Sequence, residues 1–387
     1  MPNLVGTGLN QVPTNGMLGG LAYQSPDHAS IKDLDLKYLS QINASTADTA
    51  VDVFVYDTSR DTDGGAWRKR TQHTSWYNET LNTETRGSRR EFPAVAVIVS
   101  TASSVTIYDG DDPDLPMWMV FNGTANWNQG LYFNANTSGP LYALNGIIGW
   151  GDNNTAFGFI TVHFIEEKAN AYLYSPTYGG TSRIPLVNRN SNPSSTFKVN
   201  QSGKETPDIV NNLINDVAMT VLPTAPIDPD TGLQVPTIAV ATNDGISVIK
   251  DDGTVISTTS SSSGYYVRKI NFTDNFGINA IISTSSGGNW SNVYVDDFKS
   301  LDGFTYAQYN NWDGVVYRTK YDPKALTYLT ASINDTISNF ISLDGRSNAI
   351  GTSAIGGGLT ILEKSPRSAF DPDEGMVAFA TTSYNTG

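Results

Sequence analysis

The chain has 387 residues, a formal net charge of −14 and no cysteine. Disulfides, thiolate metal sites and cysteine nucleophiles are therefore excluded, and nucleic acids and anionic membranes are disfavoured as partners because each requires a basic face. Hydrophobic residues make up 39% and charged residues 16%, so a core can form while Gly, Ser, Thr and Asn supply most of the polar surface; these favour turns and strands over helices.

Residues 1–45 read as an N-terminal attachment arm. Pro13, Asn15, Gly16, Gly19 and Gly20 are turn formers, interleaved with Met17, Leu18, Leu21 and Tyr23. Such a segment cannot bury much by itself and is expected to dock on a partner, with Pro13, Asn15, Gly16, Met17, Leu18, Leu21 and Tyr23 as the anchoring residues. Ile31, Leu34, Leu36, Leu39 and Ile42 lie near helical spacing and predict one short helix. No basic segment followed by an apolar one opens the chain, so a secretion signal is not expected. No apolar run approaches the ~20 residues of a membrane helix, and no membrane insertion is expected.

Residues 46–387 read as strand, turn, strand. Residues 51–56 alternate and are β-branched; 94–99 are uniformly apolar, as in a strand covered on both faces. Further runs fall at 105–108, 118–121, 157–165, 217–222, 237–240, 246–249, 278–282, 293–295, 340–343 and 359–362. Asp109-Gly110, Asn145-Gly146, Asp244-Gly245, Asp252-Gly253, Asp302-Gly303 and Asp344-Gly345 are hairpin signals, because a tight turn takes positive φ at both central residues. Residues 215–258 read as a four-stranded meander, with weaker copies at 267–295 and 337–362. Recurrence every ~50 residues predicts an all-β, propeller-like domain of about five to seven blades; tandem β-sandwiches are the alternative. Residues 51–68, 94–121 and 144–174 supply three further blades on this reading, and the last strand, 376–381, closes the ring beside the first.

Candidate sites are few. Ser59 to Trp67, with Asp61, Asp63, Gly64 and Gly65, resembles an Asp-box with one extra residue, the hairpin turn of sialidase-type propellers, and implies a structural role. Four acidic turns gather carboxylates of the kind Ca²⁺ takes: Asp61/Asp63, Asp109/Asp111/Asp112/Asp114, Asp228/Asp230 and Asp371/Asp373/Glu374. Asp109, Asp111, Asp112 and Asp114 are the best placed for a structural Ca²⁺; no other cofactor is expected. Of the histidines, His28, His73 and His163, each reads as a packing or surface residue. No nucleophile elbow, zinc-helix motif or phosphate loop is present, and catalytic residues are not expected. Glu166-Glu167 is the one adjacent Glu pair; neighbours on a strand point to opposite faces and would not share a site. Trp118, Trp127 and Trp150 read as core residues. Arg86, Arg89 and Arg90, with Arg68, Lys69 and Arg70 upstream, form the one basic cluster and read as a solvated loop.

The arm from Gln11 through Gln24, residues 47–58, Gly64 to Arg70 and Thr106 to Asp114 together resemble tail-fibre and tail-associated virion proteins of marine, cyanophage-like phages, most strongly over residues 1–120. The resemblance implies a non-enzymatic structural protein of the virion tail, extracellular after lysis. It would anchor by its arm to tail or adaptor proteins, act as a homo-oligomer and present its β domain for host attachment. Relatives often carry a lectin-like module beyond the propeller-like part, and the resemblance leaves open whether the natural chain continues past Gly387 into one. Two other readings remain open at this stage: a carbohydrate-binding module for a host-surface glycan, and a polysaccharide-degrading tailspike enzyme.

Overall fold

The computed structural model describes residues 50–101, 104–122, 138–152, 158–174, 180–183, 185–190, 206–260, 265–272, 276–284, 290–295, 305–306, 327–331, 337–342, 347–352, 359–363 and 377–380. The arm, its expected helix, Trp127 and the Asp371/Asp373/Glu374 turn lie outside them. Among the described residues every regular element is a strand or a short 3₁₀ turn.

The strands form successive antiparallel meanders. β1 (Ala50–Asp57), β2 (Val95–Thr101), β3 (Ser104–Asp109) and β4 (Met117–Asn122) make the first sheet. β5 (Ser138–Leu144), β6 (Ile147–Asp152), β7 (Phe159–His163), β8 (Lys168–Tyr172) and β9 (Gly180–Arg183) make the second. β10 (Ile214–Thr220), β11 (Thr237–Thr242), β12 (Ile246–Ile249) and β13 (Val255–Ser257) make the third, the expected meander at 215–258. β14 (Thr259–Ser260) follows and pairs in parallel with β18 (Thr305–Tyr306). β15 (Tyr265–Phe272), β16 (Ile278–Thr284), β17 (Trp290–Val295) and β19 (Thr327–Ala331) make the fourth sheet. β20 (Ile337–Ser342), β21 (Ser347–Thr352), β22 (Leu359–Glu363) and β23 (Val377–Ala380) make the fifth.

First strands meet first strands: β1 packs on β5, β5 on β10, and β10 on β15. Successive meanders whose leading strands converge form a β-propeller, and the five larger sheets fall within the expected blade range. Each leading strand also carries a register shift against its neighbour, at Ala50/Asp52, Ser138/Leu141, Ile214/Asp216, Val267/Lys269 and Ile337/Asn339. Bulges increase local twist, which lets a strand turn toward the crowded centre. Two of the bulges are followed by an aspartate that reaches the next sheet. Asp52 Oδ2 accepts from Leu141 N at 2.8 Å, and Asp216 Oδ2 from Ile270 N at 2.9 Å.

Two expectations about strand grouping are corrected. Residues 51–68 and 94–121 belong to one sheet, not two, because β1 pairs with β2 across a long excursion. That excursion supplies core: Trp67, Trp76 and Phe92 are wholly buried within it. Phe92 packs on Trp67, Trp118 and Phe164 at 4.9–5.1 Å between ring centres. The buried indoles find acceptors, Trp76 Nε1 on Phe164 O at 2.8 Å and Trp118 Nε1 on Glu91 O at 3.0 Å. The last strand, β23, pairs with β22 as the outer strand of the fifth sheet rather than closing beside β1.

Of the Asp-Gly and Asn-Gly pairs, two fall outside the described residues, and among the rest only Asn145-Gly146 has both residues at positive φ, 53° and 72°. It joins β5 and β6 by the expected two-residue turn. The hairpins from β2 to β3 and from β11 to β12 use a threonine instead. Thr101 Oγ1 accepts from Ser104 N, and Thr242 Oγ1 accepts from Asp244 N and Gly245 N.

Candidate functional site

A network of buried polar groups lies where the excursion, the β5–β6 turn and the β10–β11 connection meet. Asp61 opens the Asp-box-like turn, 4% exposed. Its Oδ2 accepts from Tyr56 Oη and Trp67 Nε1, each at 2.6 Å, and its Oδ1 from Asn145 N at 2.6 Å. Tyr56 Oη in turn accepts from Gly146 N at 2.8 Å. Asn145 returns the contact: its Oδ1 accepts from Thr62 N at 2.9 Å, and its Nδ2 donates to Gln234 O at 2.7 Å. Burial pushes the Asp61 carboxyl up to about 6, against the pull of its three donors. The same burial, with Asp61 beside it, holds the Tyr56 hydroxyl far above its ordinary range. Arg70 adds a clasp, pairing with Asp63 at 2.8 Å and donating to Thr231 O at 3.1 Å. The Asp-box-like residues are thus structural, as expected.

Beside this hub lies a small cavity of about 30 Å³, bounded by Asn145, Gly146, His163, Asp228, Thr231 and Pro236. Burial pulls the His163 imidazole down to about 3, so it is neutral, and its Nε2 sits 3.3 Å from Asn170 Nδ2. Next to Asp228, the carboxylates of Glu166, Asp228 and Asp230 converge, with one oxygen from each within 4.8 Å of the others. Glu166 comes from the turn between β7 and β8, whereas the two aspartates come from the β10–β11 connection. Burial first, then the neighbouring Asp228 carboxyl, pushes the Glu166 carboxyl upward. Asp228 is held low, because contacts with Glu166 and the Asp230 N–H outweigh its partial burial.

The expected Ca²⁺ ligands are used otherwise. Arg89 Nη1 lies between Asp109 and Asp111, 2.9 Å from Asp109 Oδ1 and 2.7 Å from Asp111 Oδ2. Asp111 also accepts from Ala94 N and Val95 N, at 2.8 and 2.9 Å, and Asp112 caps Asp114 N at 2.9 Å. The Arg89 guanidinium is thus the cation set against Asp109 and Asp111, two of the four residues expected to hold Ca²⁺. Among the described residues, Glu166, Asp228 and Asp230 are the group that converges instead. Glu166 and Glu167 do serve separate places, though from a turn and not a strand: Glu167 accepts from Ser75 N and Leu186 N.

The basic cluster is likewise corrected. Arg86 is wholly buried, lies over the Trp118 ring at 4.3 Å, and donates to Trp118 O and Arg90 O. Arg189, 1% exposed, pairs with Glu79 at 2.7 Å and donates to Val120 O and Thr85 O. Gly87 makes this approach possible, since a Cβ there would stand 2.0 Å from Met117 O. Arg189 gave no sign in the sequence, standing alone in a polar stretch. Trp118 and Trp150 are core residues, 1% exposed each. His73 is exposed beside Arg70 O. Residues 1–45, and with them the anchoring residues, lie outside the described part.

No protein-family model and no curated protein matches the chain. Among solved structures it is similar to the extracellular domain of a hybrid two-component system from B. thetaiotaomicron, at 14% identity and TM-score 0.36, covering 69% of this chain and 32% of that one. It is also similar to YCF48 from Cyanidioschyzon merolae, at 12% identity and TM-score 0.29, covering 68% and 62%. A third is the Dos1 propeller, at 8% identity and TM-score 0.28, covering 73% and 82%. The chain therefore spans 32% of the first and 62% of the second of these proteins. At these scores the likeness carries no argument, and the fold rests on the succession of sheets. Among the described residues no helix is long and apolar enough to cross a membrane.

Proposed function

We propose that the chain is a non-enzymatic, tail-associated structural protein of a phage virion. Residues 1–45 anchor it to tail or adaptor proteins, and the propeller stands as a stiff spacer and platform toward the host surface. The observation that carries this reading is the use made of buried polar groups. Asp52, Asp61, Asn145, Asp216 and Arg189 each bond one chain segment to a distant one. Cross-links of that kind stiffen a molecule that must transmit position and force. The resemblance of residues 1–120 to tail-associated proteins supports the same reading. Several copies around a tail would add avidity to weak host contacts.

Deletion of residues 1–25 tests the anchor. The truncated protein, checked for β-sheet circular dichroism, is expected to be missing from purified particles by immunoblot. Normal incorporation would overturn the assignment. Release of reducing ends from host polysaccharide by the purified protein would overturn the non-enzymatic part.

A further inference from the structure

Carboxylates gather on many acidic surfaces, and convergence by itself points to nothing. Glu166 is different. Its side chain is 4% exposed, and Oε1 is buried without a hydrogen-bond donor. The two nearby cations both engage the other oxygen: Arg183 lies 3.3 Å and Lys168 3.8 Å from Oε2. A carboxyl oxygen shut away from water and set among carboxylates requires a cation or a proton. Neither Asp228 nor Asp230 supplies one while ionised.

We propose that Glu166, Asp228 and Asp230 bind a hard divalent cation, Ca²⁺ by preference, which clamps the β7–β8 turn to the β10–β11 connection. The donors are all oxygen, the class such ions take, and they sit on two loops whose spacing can adjust. Ca²⁺ tolerates about six to eight ligands in flexible geometry, whereas Mg²⁺ demands a near-ideal octahedron. Asp230 N donates to Asp228 Oδ1 at 2.8 Å, and Asp228 N to Leu233 O at 2.8 Å, so the loop arrives preshaped. The adjoining cavity of about 30 Å³ has room for a ligating water. Lys168 and Arg183 hold the carboxylate through Oε2, and Oε1 is left without a donor.

The test is calorimetric titration of chelator-treated, full-length protein with CaCl₂, alongside thermal unfolding with and without the ion. Binding heat and a rise in the unfolding midpoint are expected, larger for Ca²⁺ than for equal Mg²⁺. Glu166→Gln is expected to abolish both. Asp230→Asn, at the exposed rim, is expected to weaken binding by about tenfold or more, which keeps the test valid if Glu166→Gln folds poorly. No heat and no shift at millimolar Ca²⁺ would overturn the proposal. So would a shift that persists in both variants. An unsubstituted protein that gives no response to Ca²⁺ and is stabilised by Glu166→Gln would overturn it in favour of a proton shared by Glu166 and Asp228.

Discussion

At the scale of the residue, Asp61 shows how one carboxylate can organise a fold. Three donors from three parts of the chain converge on it, yet burial still raises its carboxyl from 3.8 to about 6. The folded state therefore holds this proton more tightly than the unfolded chain. Below pH ~4 both states are protonated. Between about pH 4 and 6 the unfolded chain releases the proton first, so stability falls as pH rises, by about 3 kcal/mol for a shift of this size. Asp216, also buried and raised to about 6, acts in the same direction. Asp61→Asn is expected to cost about 1–3 kcal/mol at neutral pH, because one of the buried donors on Oδ2 loses its acceptor. It should also flatten the decline between pH 4 and 6, read from urea midpoints of both proteins across that range. A wild-type profile as flat as the variant's would refute the assignment.

At the scale of the element, local chemistry decides the turns and tertiary demands decide the strands. Asn145-Gly146 closes its hairpin with both residues left-handed, and Gly146 also lies against Ile165 and Trp67, with 3.2 and 3.4 Å to an added Cβ. Gly146→Ala combines backbone strain with a crowded contact and is expected to destabilise by about 1–3 kcal/mol in chemical denaturation. Gly253, at φ 80° in the β12–β13 turn, has open space around it and strains the backbone alone, so Gly253→Ala should cost less. Equal losses at the two positions would remove the packing part of the argument. The threonine-closed hairpin after β11 shows why an Asp-Gly pair is an incomplete turn signal. At Thr242 the hydroxyl takes the Asp244 and Gly245 amides, and Gly245 sits at φ 155° rather than in a tight two-residue turn.

At the scale of the whole molecule, the leading strands β1, β5, β10 and β15 join the first four larger sheets. Leading-strand bulges recur in all five larger sheets, and Asp52 and Asp216 turn two of those bulges into hydrogen-bonded links between neighbours. Asp216→Ala leaves Ile270 N without its acceptor at a packed junction. The expected outcome is a loss of about 1–3 kcal/mol and faster hydrogen exchange at the amides of β15 than at those of β12, which lies outside that junction. Uniform acceleration through the third sheet would mean that the carboxylate supports its own sheet and not the link.

The sequence by itself determined the fold class and most strands. Alternation at 51–56 and the apolar run at 94–99 depend on neighbours two residues apart, and the meander at 215–258 is marked by turns within a few residues. Asn145-Gly146 and the Asp-box-like segment were legible for the same local reason. Tertiary structure decided everything that joins distant segments. It placed β1 and β2 in one sheet across the excursion, set β23 beside β22, and drew Arg86 and Arg189 inward, where carbonyls and Glu79 replace water around their charge. It gave Arg89 to the Asp109–Asp111 turn and gathered Glu166 with Asp228 and Asp230. Four acidic turns look alike in the sequence. Which of them meets an arginine and which meets a buried glutamate depends on how the sheets pack, because a carboxylate's partner is set by distance through space and not along the chain.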